Sequence, residues 1–86
     1  MKDVEKELKA LANKRRLAII KHLKRAQEAS VGEIAEEISL SLRSTSRHLT
    51  VLTSAAVIES DQRGLYVFYR LATKLRPATK SIVGLL

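Results

Sequence analysis

Two serine-capped segments that lie close together constrain the fold of this chain more than any other feature. Ser30 and Glu33 have the spacing of a capping box, in which each side chain bonds the backbone of the other residue at a helix start. Ser41 precedes a second amphipathic segment that begins at Leu42, and it can cap that segment in a similar way. Since only the short stretch 39–41 separates the segments, the sequence predicts a helix-turn-helix arrangement.

Two further helices are predicted before this pair. Val4, Leu8 and Leu11 are spaced as one apolar stripe of a first helix. Asn13 can cap a second helix, whose broader apolar face continues to about Arg25.

Beyond the pair, the apolar pattern changes from helix to strand. Extended segments begin at Val57 and Leu65, the second contains all three aromatic residues, and 61–64 are predicted to form the turn between them. The tail fits a final helix if Pro77 lies in its first turn. The predicted fold is therefore mainly α with a β-hairpin, a winged helix-turn-helix in the order α-α-α-α-β-β-α, and we expect residues 1–86 to form a single domain.

The charge of the chain favours a polyanionic partner. Its net charge is +7 and its pI is about 10.2, which indicates nucleic acid first and an acidic membrane surface second. Residues 14–25 contain six basic and no acidic side chains, whereas residues 26–37 contain four acidic and no basic ones. Positive charge can therefore gather on one face, although a scattered, solvated surface explains the charge alone equally well.

Several classes of protein do not fit this sequence. There is no cysteine, so disulfides and thiolate metal sites are excluded. No apolar run approaches the ~20 residues that span a bilayer, and the N-terminus lacks the apolar segment of a signal peptide, so we expect a cytoplasmic protein. The serines near His48 come with no orienting acid and no glycine-rich loop, so we expect neither an enzyme nor a cofactor.

The segment 42–54 is the candidate DNA-reading helix because it contains no acidic residue. Leu42, Thr45, Leu49 and Leu52 form its predicted core stripe, and the opposite face carries donors for phosphates and base edges. An ordinary solvated helix is the alternative. The candidate DNA-binding residues of this segment are Ser41, Arg43, Ser44, Ser46, Arg47, His48, Thr50 and Val51.

Other polar residues allow two interpretations each. Arg63 and Gly64, at the predicted hairpin tip, are candidate contacts to a minor groove or to flanking phosphates, and a plain surface arginine is equally consistent. Residues 14–16 place three cations in the first turn of a helix, where they oppose its dipole. Phosphate binding and a tolerated basic turn both explain them. For His48, a partly buried and hydrogen-bonded ring is favoured over a metal ligand.

Apolar residues at both ends of the chain predict a homodimer. The first helix, within 1–12, and the tail, within 73–86, have more apolar surface than a small monomer should expose. Such a dimer would place two reading helices roughly 34–36 Å apart on an inverted repeat. The predicted interface consists of Val4, Leu8, Leu11, Leu75, Ile82, Val83 and Leu86.

Three stretches of the sequence resemble one known family. Residues 8–17 run from a helix end into an Arg-Leu pair, residues 40–52 end in Ser-x-His-Leu-x-x-Leu, and residues 64–71 follow a glycine with an aromatic strand. In this order they resemble the arsenical-resistance-repressor (ArsR-type) winged-helix regulators. The resemblance implies a dimeric repressor that binds operator DNA through the fourth helix and the wing.

The chain departs from that family where many members bind a metal. The family's Cys-x-Cys position on the third helix is occupied by Ser30-Val31-Gly32, and residues 75–86 lack the histidines and acids of the other common site. The resemblance therefore implies no metal sensing of the known kinds, and the effector is unknown. In the wing, Leu65 follows the glycine where the family often has a basic residue.

Two other functions remain alternatives. A nonspecific nucleic-acid-binding winged helix, of the chromatin or RNA-binding type, would bind with steep salt dependence and without sequence preference. A protein-interaction winged helix would bind no nucleic acid, and the acid-free segment 42–54 argues against it.

Overall fold

The computed structural model describes residues 2–86, which form five helices and a three-stranded antiparallel sheet. The predicted order of helices and hairpin strands is confirmed, and a short strand is added before the third helix. No helix in this part of the chain is both long and apolar enough to cross a membrane. The elements are α1 (Lys2–Leu11), α2 (Lys14–Ala26), β1 (Ala29–Ser30), α3 (Val31–Ile38), α4 (Leu42–Ser54), β2 (Ile58–Arg63), β3 (Tyr66–Leu71) and α5 (Pro77–Leu85).

The predicted side-chain caps define the starts of α2, α3 and α4. Asn13 accepts hydrogen bonds from two backbone amides in the first turn of α2. At the start of α3, the Glu33 amide donates to Ser30 Oγ at 3.2 Å and the Ser30 amide donates to the Glu33 carboxylate at 2.8 Å. The Ser44 amide donates to Ser41 Oγ at 3.1 Å, which begins α4. These bonds satisfy amides that have no partner inside the helices.

The strand β1 was not predicted. Its residues Ala29 and Ser30 pair with Tyr69 and Phe68 of β3, so the sheet order is β1-β3-β2. A strand of two residues has no alternation that a sequence pattern can show. Its pairing joins the start of α3 directly to the hairpin β2–β3, which we call the wing.

The turn of the wing is shorter than predicted. Asp61 to Arg63 continue β2 and pair with β3, and only Gly64 and Leu65 form the turn. Gly64 has φ of 63°, a conformation that glycine adopts without strain and that two-residue hairpin turns require. The prediction of a turn over 61–64 was therefore wrong for its first three residues.

The core lies where α2, α3 and α4 pack together, with α4 against β2 and with α2 and α3 against β3. The predicted stripe of α4 is buried at Thr45, Leu49 and Leu52, but Leu42 is 58% exposed. Leu42 is the first residue of α4, one turn ahead of the part of the helix that packs on the core, so its assignment to the stripe was wrong. The fully buried apolar residues include Ile19, Ile20, Leu23, Ile34, Leu49, Leu52, Val57 and Ile58.

A buried polar contact joins α1 to α5. Glu7 is 5% exposed, and its carboxylate accepts a hydrogen bond of 2.7 Å from the hydroxyl of Thr79. Arg76 lies 3.2 Å from the other Glu7 oxygen and 3.0 Å from Asp3. Burial of a carboxylate is unfavourable unless hydrogen bonds and a cation compensate it, and this arrangement supplies both. The two end helices therefore form one layer, which we call the α1–α5 layer.

We expect Thr79→Val to lower the free energy of unfolding by about 1–3 kcal/mol, because the buried Glu7 carboxylate loses a hydrogen bond while side-chain volume is kept. Chemical denaturation followed by circular dichroism measures the change. Thr50→Val is the matched control, since that hydroxyl bonds only the Ser46 carbonyl on an exposed face and its loss should have little effect. If Thr79→Val had the same free energy of unfolding as wild type, the contact of Thr79 with Glu7 would not stabilise the fold as expected.

Candidate nucleic-acid interface

The face of α4 opposite the core presents two free cations. Arg43 and Arg47 are exposed and one helical turn apart. The ion pairs found among residues 2–86 use other arginines, so neither guanidinium is neutralised by a carboxylate. A guanidinium can fork onto a phosphate or onto the O6 and N7 acceptors of guanine. This face can therefore bind DNA without first breaking an internal contact.

The other candidate residues of α4 surround these arginines. Ser46, Thr50 and Val51 are exposed, and Ser44 is half-buried. The Ser41 hydroxyl already accepts the Ser44 amide as a helix cap, so its hydrogen and one lone pair remain for other partners. The structure thus brings the predicted α4 residues together on one helix, with the hydroxyls and a methyl-bearing side chain around the cations.

Leu42 adds an exposed apolar group at the start of the same helix. Sequence reasoning assigned it to the core because its spacing from Thr45 and Leu49 fits the stripe. Its exposure places a branched side chain at the end of α4 that a recognition helix directs into the major groove. Apolar groups of this kind contact the methyl group of thymine.

His48 lies on the flank of α4 and is half-buried, as its position beside the stripe predicted. Its Nδ1 lies 3.1 Å from Nη1 of Arg16. Because a guanidinium can only donate, Nδ1 must be the acceptor, and the ring is neutral with its hydrogen on Nε2. Burial lowers the pKa of His48 below its usual 6.5, and the positive charges of Arg16 and Arg15 lower it further.

Arg63 of the wing is bound by acidic side chains. Two of its nitrogens donate to the Glu28 carboxylate at 2.9 and 2.7 Å, and Nε donates to Asp61 at 3.0 Å. The guanidinium also lies 4.8 Å from the centre of the Phe68 ring. The hydrogen bonds from Arg63 hold the pKa of Glu28 below its usual value. A DNA phosphate would have to compete with both carboxylates for Arg63. Gly64, by contrast, is exposed at the tip of the wing.

The predicted dimer residues divide into two groups. Leu11 and Val83 are 3% and 7% exposed and pack within the core of the single chain, so they add little apolar surface for a partner. Leu75 precedes α5 rather than lying on it, because the helix begins at Pro77. The residues that stay exposed or half-buried are Val4, Leu8, Leu75, Ile82 and Leu86.

Comparison with known proteins gives one consistent family. A helix-turn-helix domain family matches residues 11–61. The transcriptional repressor SdpR of Bacillus subtilis is 35% identical over 65 residues, which cover 76% of this chain and 71% of the relative. The transcriptional activator HlyU of Vibrio cholerae is 38% identical over 66 residues, which cover 77% of this chain but only 60% of the relative.

Solved structures agree with these matches. Reduced HlyU from Vibrio cholerae has a TM-score of 0.83 and 33% identity, with 98% of this chain and 84% of that chain covered. The homodimeric winged helix-turn-helix DNA-binding domain of a Mycobacterium bovis protein, described as a possible ArsR-family transcriptional regulator, has a TM-score of 0.82 and 33% identity, with 98% and 74% covered. This chain belongs to the ArsR family of winged helix-turn-helix transcriptional regulators.

Membership of the ArsR family confirms the predicted family and fold. The relatives named above are transcription regulators and not enzymes, in agreement with the expectation for this chain. SdpR is a repressor and HlyU an activator, so the ArsR family does not by itself fix the direction of regulation.

We expect this ArsR-family protein to lose stability in mild acid through His48. Its folded-state pKa lies below the unfolded value of 6.5, so this contribution is complete above pH 6.5 and declines as pH falls through the folded pKa. Urea denaturation at a pH of about 7.5 and of about 5.5 measures the difference. His48→Asn should reduce this pH dependence. The same dependence in wild type and His48→Asn would refute this explanation.

Proposed function

We propose that this ArsR-family regulator acts in the cytoplasm as a homodimer that binds an inverted-repeat operator in duplex DNA. The observation that carries the proposal is the outer face of α4, on which Arg43 and Arg47 are exposed and unpaired in a helix without acids. The homodimeric DNA-binding domain from Mycobacterium bovis supports it by structural similarity. Repression is the favoured direction of control, in line with the SdpR relative.

In this proposal α4 lies in the major groove, and each of its side chains contacts the part of the DNA that suits its chemistry. Arg47, at the centre of the outer face, reads a base edge, and Arg43 contacts a base or a phosphate. The hydroxyls of Ser41, Ser44, Ser46 and Thr50 bond phosphates or bases, while Val51 contacts a thymine methyl group. The wing, through Gly64 and Arg63, approaches the flanking DNA. Arg63 contributes only if the DNA draws it away from Glu28 and Asp61.

The same proposal assigns dimerisation to the α1–α5 layer. Leu8 is 43% exposed, and Val4 and Ile82 remain accessible on the two end helices. The contact of Glu7 with Thr79 joins these helices within each chain, so their apolar residues form one continuous surface. A second copy would cover that surface and, by its two-fold symmetry, present a second α4 to the next half-site.

A binding titration tests the proposal. The wild-type protein is titrated with its own upstream DNA and with a scrambled duplex of equal length, at two salt concentrations. We expect a preference for the upstream DNA of about a thousandfold or more. Equal and salt-sensitive binding to both duplexes would instead indicate a nonspecific nucleic-acid-binding protein. No binding to either would indicate a winged helix that binds another protein.

In the same assay, Arg47→Ala should weaken operator binding by about 1–3 kcal/mol and relax the preference for one base pair. If Arg47 held only a phosphate, binding to every sequence would weaken alike and the salt slope would fall by about one. Arg25→Ala is the matched control, because Arg25 is an exposed arginine of α2 that pairs with Glu37. Wild-type affinity of Arg47→Ala on both duplexes would show that α4 does not face the DNA.

A further inference from the structure

Arg16 makes three side-chain contacts to two other helices. Its Nε donates to the Ala10 carbonyl, and its Nη2 donates to the Lys9 carbonyl at 3.3 Å, both in the last turn of α1. Its Nη1 donates to Nδ1 of His48, on α4, at 3.1 Å. One half-buried side chain at the start of α2 thus connects the end of α1 with the middle of α4.

The two carbonyls that Arg16 contacts accept no other hydrogen bond from residues 2–86. The last four carbonyls of a helix lack an intrahelical donor. In α1, the Leu8 carbonyl accepts the Ala12 amide at 2.9 Å and the Leu11 carbonyl accepts the Asn13 amide at 2.8 Å. Arg16 satisfies the remaining pair, those of Lys9 and Ala10. A cation at this place also interacts favourably with the negative end of the α1 dipole.

This contact explains the unusual cation in the first turn of α2. With respect to α2 the charge of Arg16 is unfavourable, but its guanidinium lies at the C-terminal end of α1. Its neighbours Lys14 and Arg15 are exposed, whereas Arg16 is half-buried and each of its three guanidinium nitrogens already donates one hydrogen bond. Of the two earlier interpretations of residues 14–16, phosphate binding therefore does not suit Arg16.

The third contact determines the chemistry of the His48 ring. Because Arg16 can only donate, Nδ1 of His48 is an acceptor and the ring hydrogen is on Nε2. Nε2 has no hydrogen-bond partner among residues 2–86, and this atom is not buried. His48 follows Arg47 directly on α4, so this free donor lies at the edge of the DNA-reading face.

We propose that Arg16 is a positioning residue for DNA recognition. It fixes α4 against the end of α1 and sets the hydrogen of His48 on Nε2, from which the ring donates to an acceptor on the DNA. The inference rests on the proposed function, since it requires α4 to face DNA. Because α1 belongs to the α1–α5 layer, Arg16 also links the proposed dimer surface to the reading helix.

The tautomer of His48 is the first test, and it needs no DNA. Nitrogen-15 chemical shifts of the imidazole in the DNA-free protein at neutral pH distinguish the two tautomers. We expect a neutral ring with the hydrogen on Nε2. A ring with its hydrogen on Nδ1, or a protonated ring, would overturn the inference, because Arg16 could not then donate to it.

The second test compares two charge-conserving variants, Arg16→Lys and Arg15→Lys, on the operator and the scrambled duplex. Lysine keeps the charge but cannot fork to three acceptors. We expect Arg16→Lys to weaken operator binding by about tenfold, with little change on the scrambled duplex and an unchanged salt slope. Arg15→Lys should match wild type. Wild-type affinity of Arg16→Lys, or an equal loss on both duplexes with a smaller salt slope, would overturn the positioning role.

His48→Asn separates the two parts of the proposal and guards against a folding defect in Arg16→Lys. Asparagine offers an oxygen near the position of Nδ1, so the Arg16 contact and the thermal stability near neutral pH should persist, while the donor at Nε2 is lost. We expect weaker operator binding from this folded variant, and wild-type binding would overturn the donor role. A wild-type protein that prefers neither duplex would refute the proposed function itself, whereas a clear wild-type preference with unaffected variants refutes only this inference.

Discussion

Packing of the inner face of α4 against α2 and α3 is the constraint on which the rest of the structure depends. Ile20, Ile34, Leu49 and Leu52 are fully buried at this junction, and burial of side chains of this size supplies most of the stability of a small domain. Since Leu49 and Leu52 fix the rotation of α4 about its axis, they also determine which residues face outward. The exposure of Arg47 is therefore a consequence of the core.

The pairing of charges decides which cations remain available to a partner. Glu37 binds Arg25, Glu28 binds Arg63, and Glu59 binds Arg70. Exposed pairs of this kind add little to stability, but they neutralise basic side chains on α2 and on the wing. On α4 no acid is present to do so. The two arginines of α4 therefore stay free of ion pairs among residues 2–86, as do the exposed lysines of α2.

Local patterns predicted much of this fold from the sequence. Asn13, Ser30 and Ser41 act within three residues of their partners, so their caps are visible as short motifs. Apolar spacing located the helices for a similar reason, because each stripe lies within one element. That spacing also predicted which face of α4 is exposed, except at Leu42. This residue belongs to the first turn of α4, which does not yet pack on the core.

Contacts between distant residues could not be predicted in this way. Arg63 and Glu28 are 35 positions apart in the sequence, and Arg16 and His48 are 32 positions apart. No local sequence motif can therefore predict either pair. The strand β1 forms only because β3 offers it an edge. The burial of Val83 likewise depends on how α5 returns to the core. Each depends on tertiary packing, and the first two changed the interpretation of predicted functional residues.

Binding to an operator with altered half-site spacing tests the central claim most directly. The wild-type protein is titrated with the inverted repeat and with the same duplex after insertion of about five base pairs, half a helical turn, between its half-sites. A rigid dimer with one α4 per half-site predicts cooperative binding of two chains to the first duplex and a large loss of affinity on the second. Equal affinity for both duplexes, or one chain bound to each, would contradict the account.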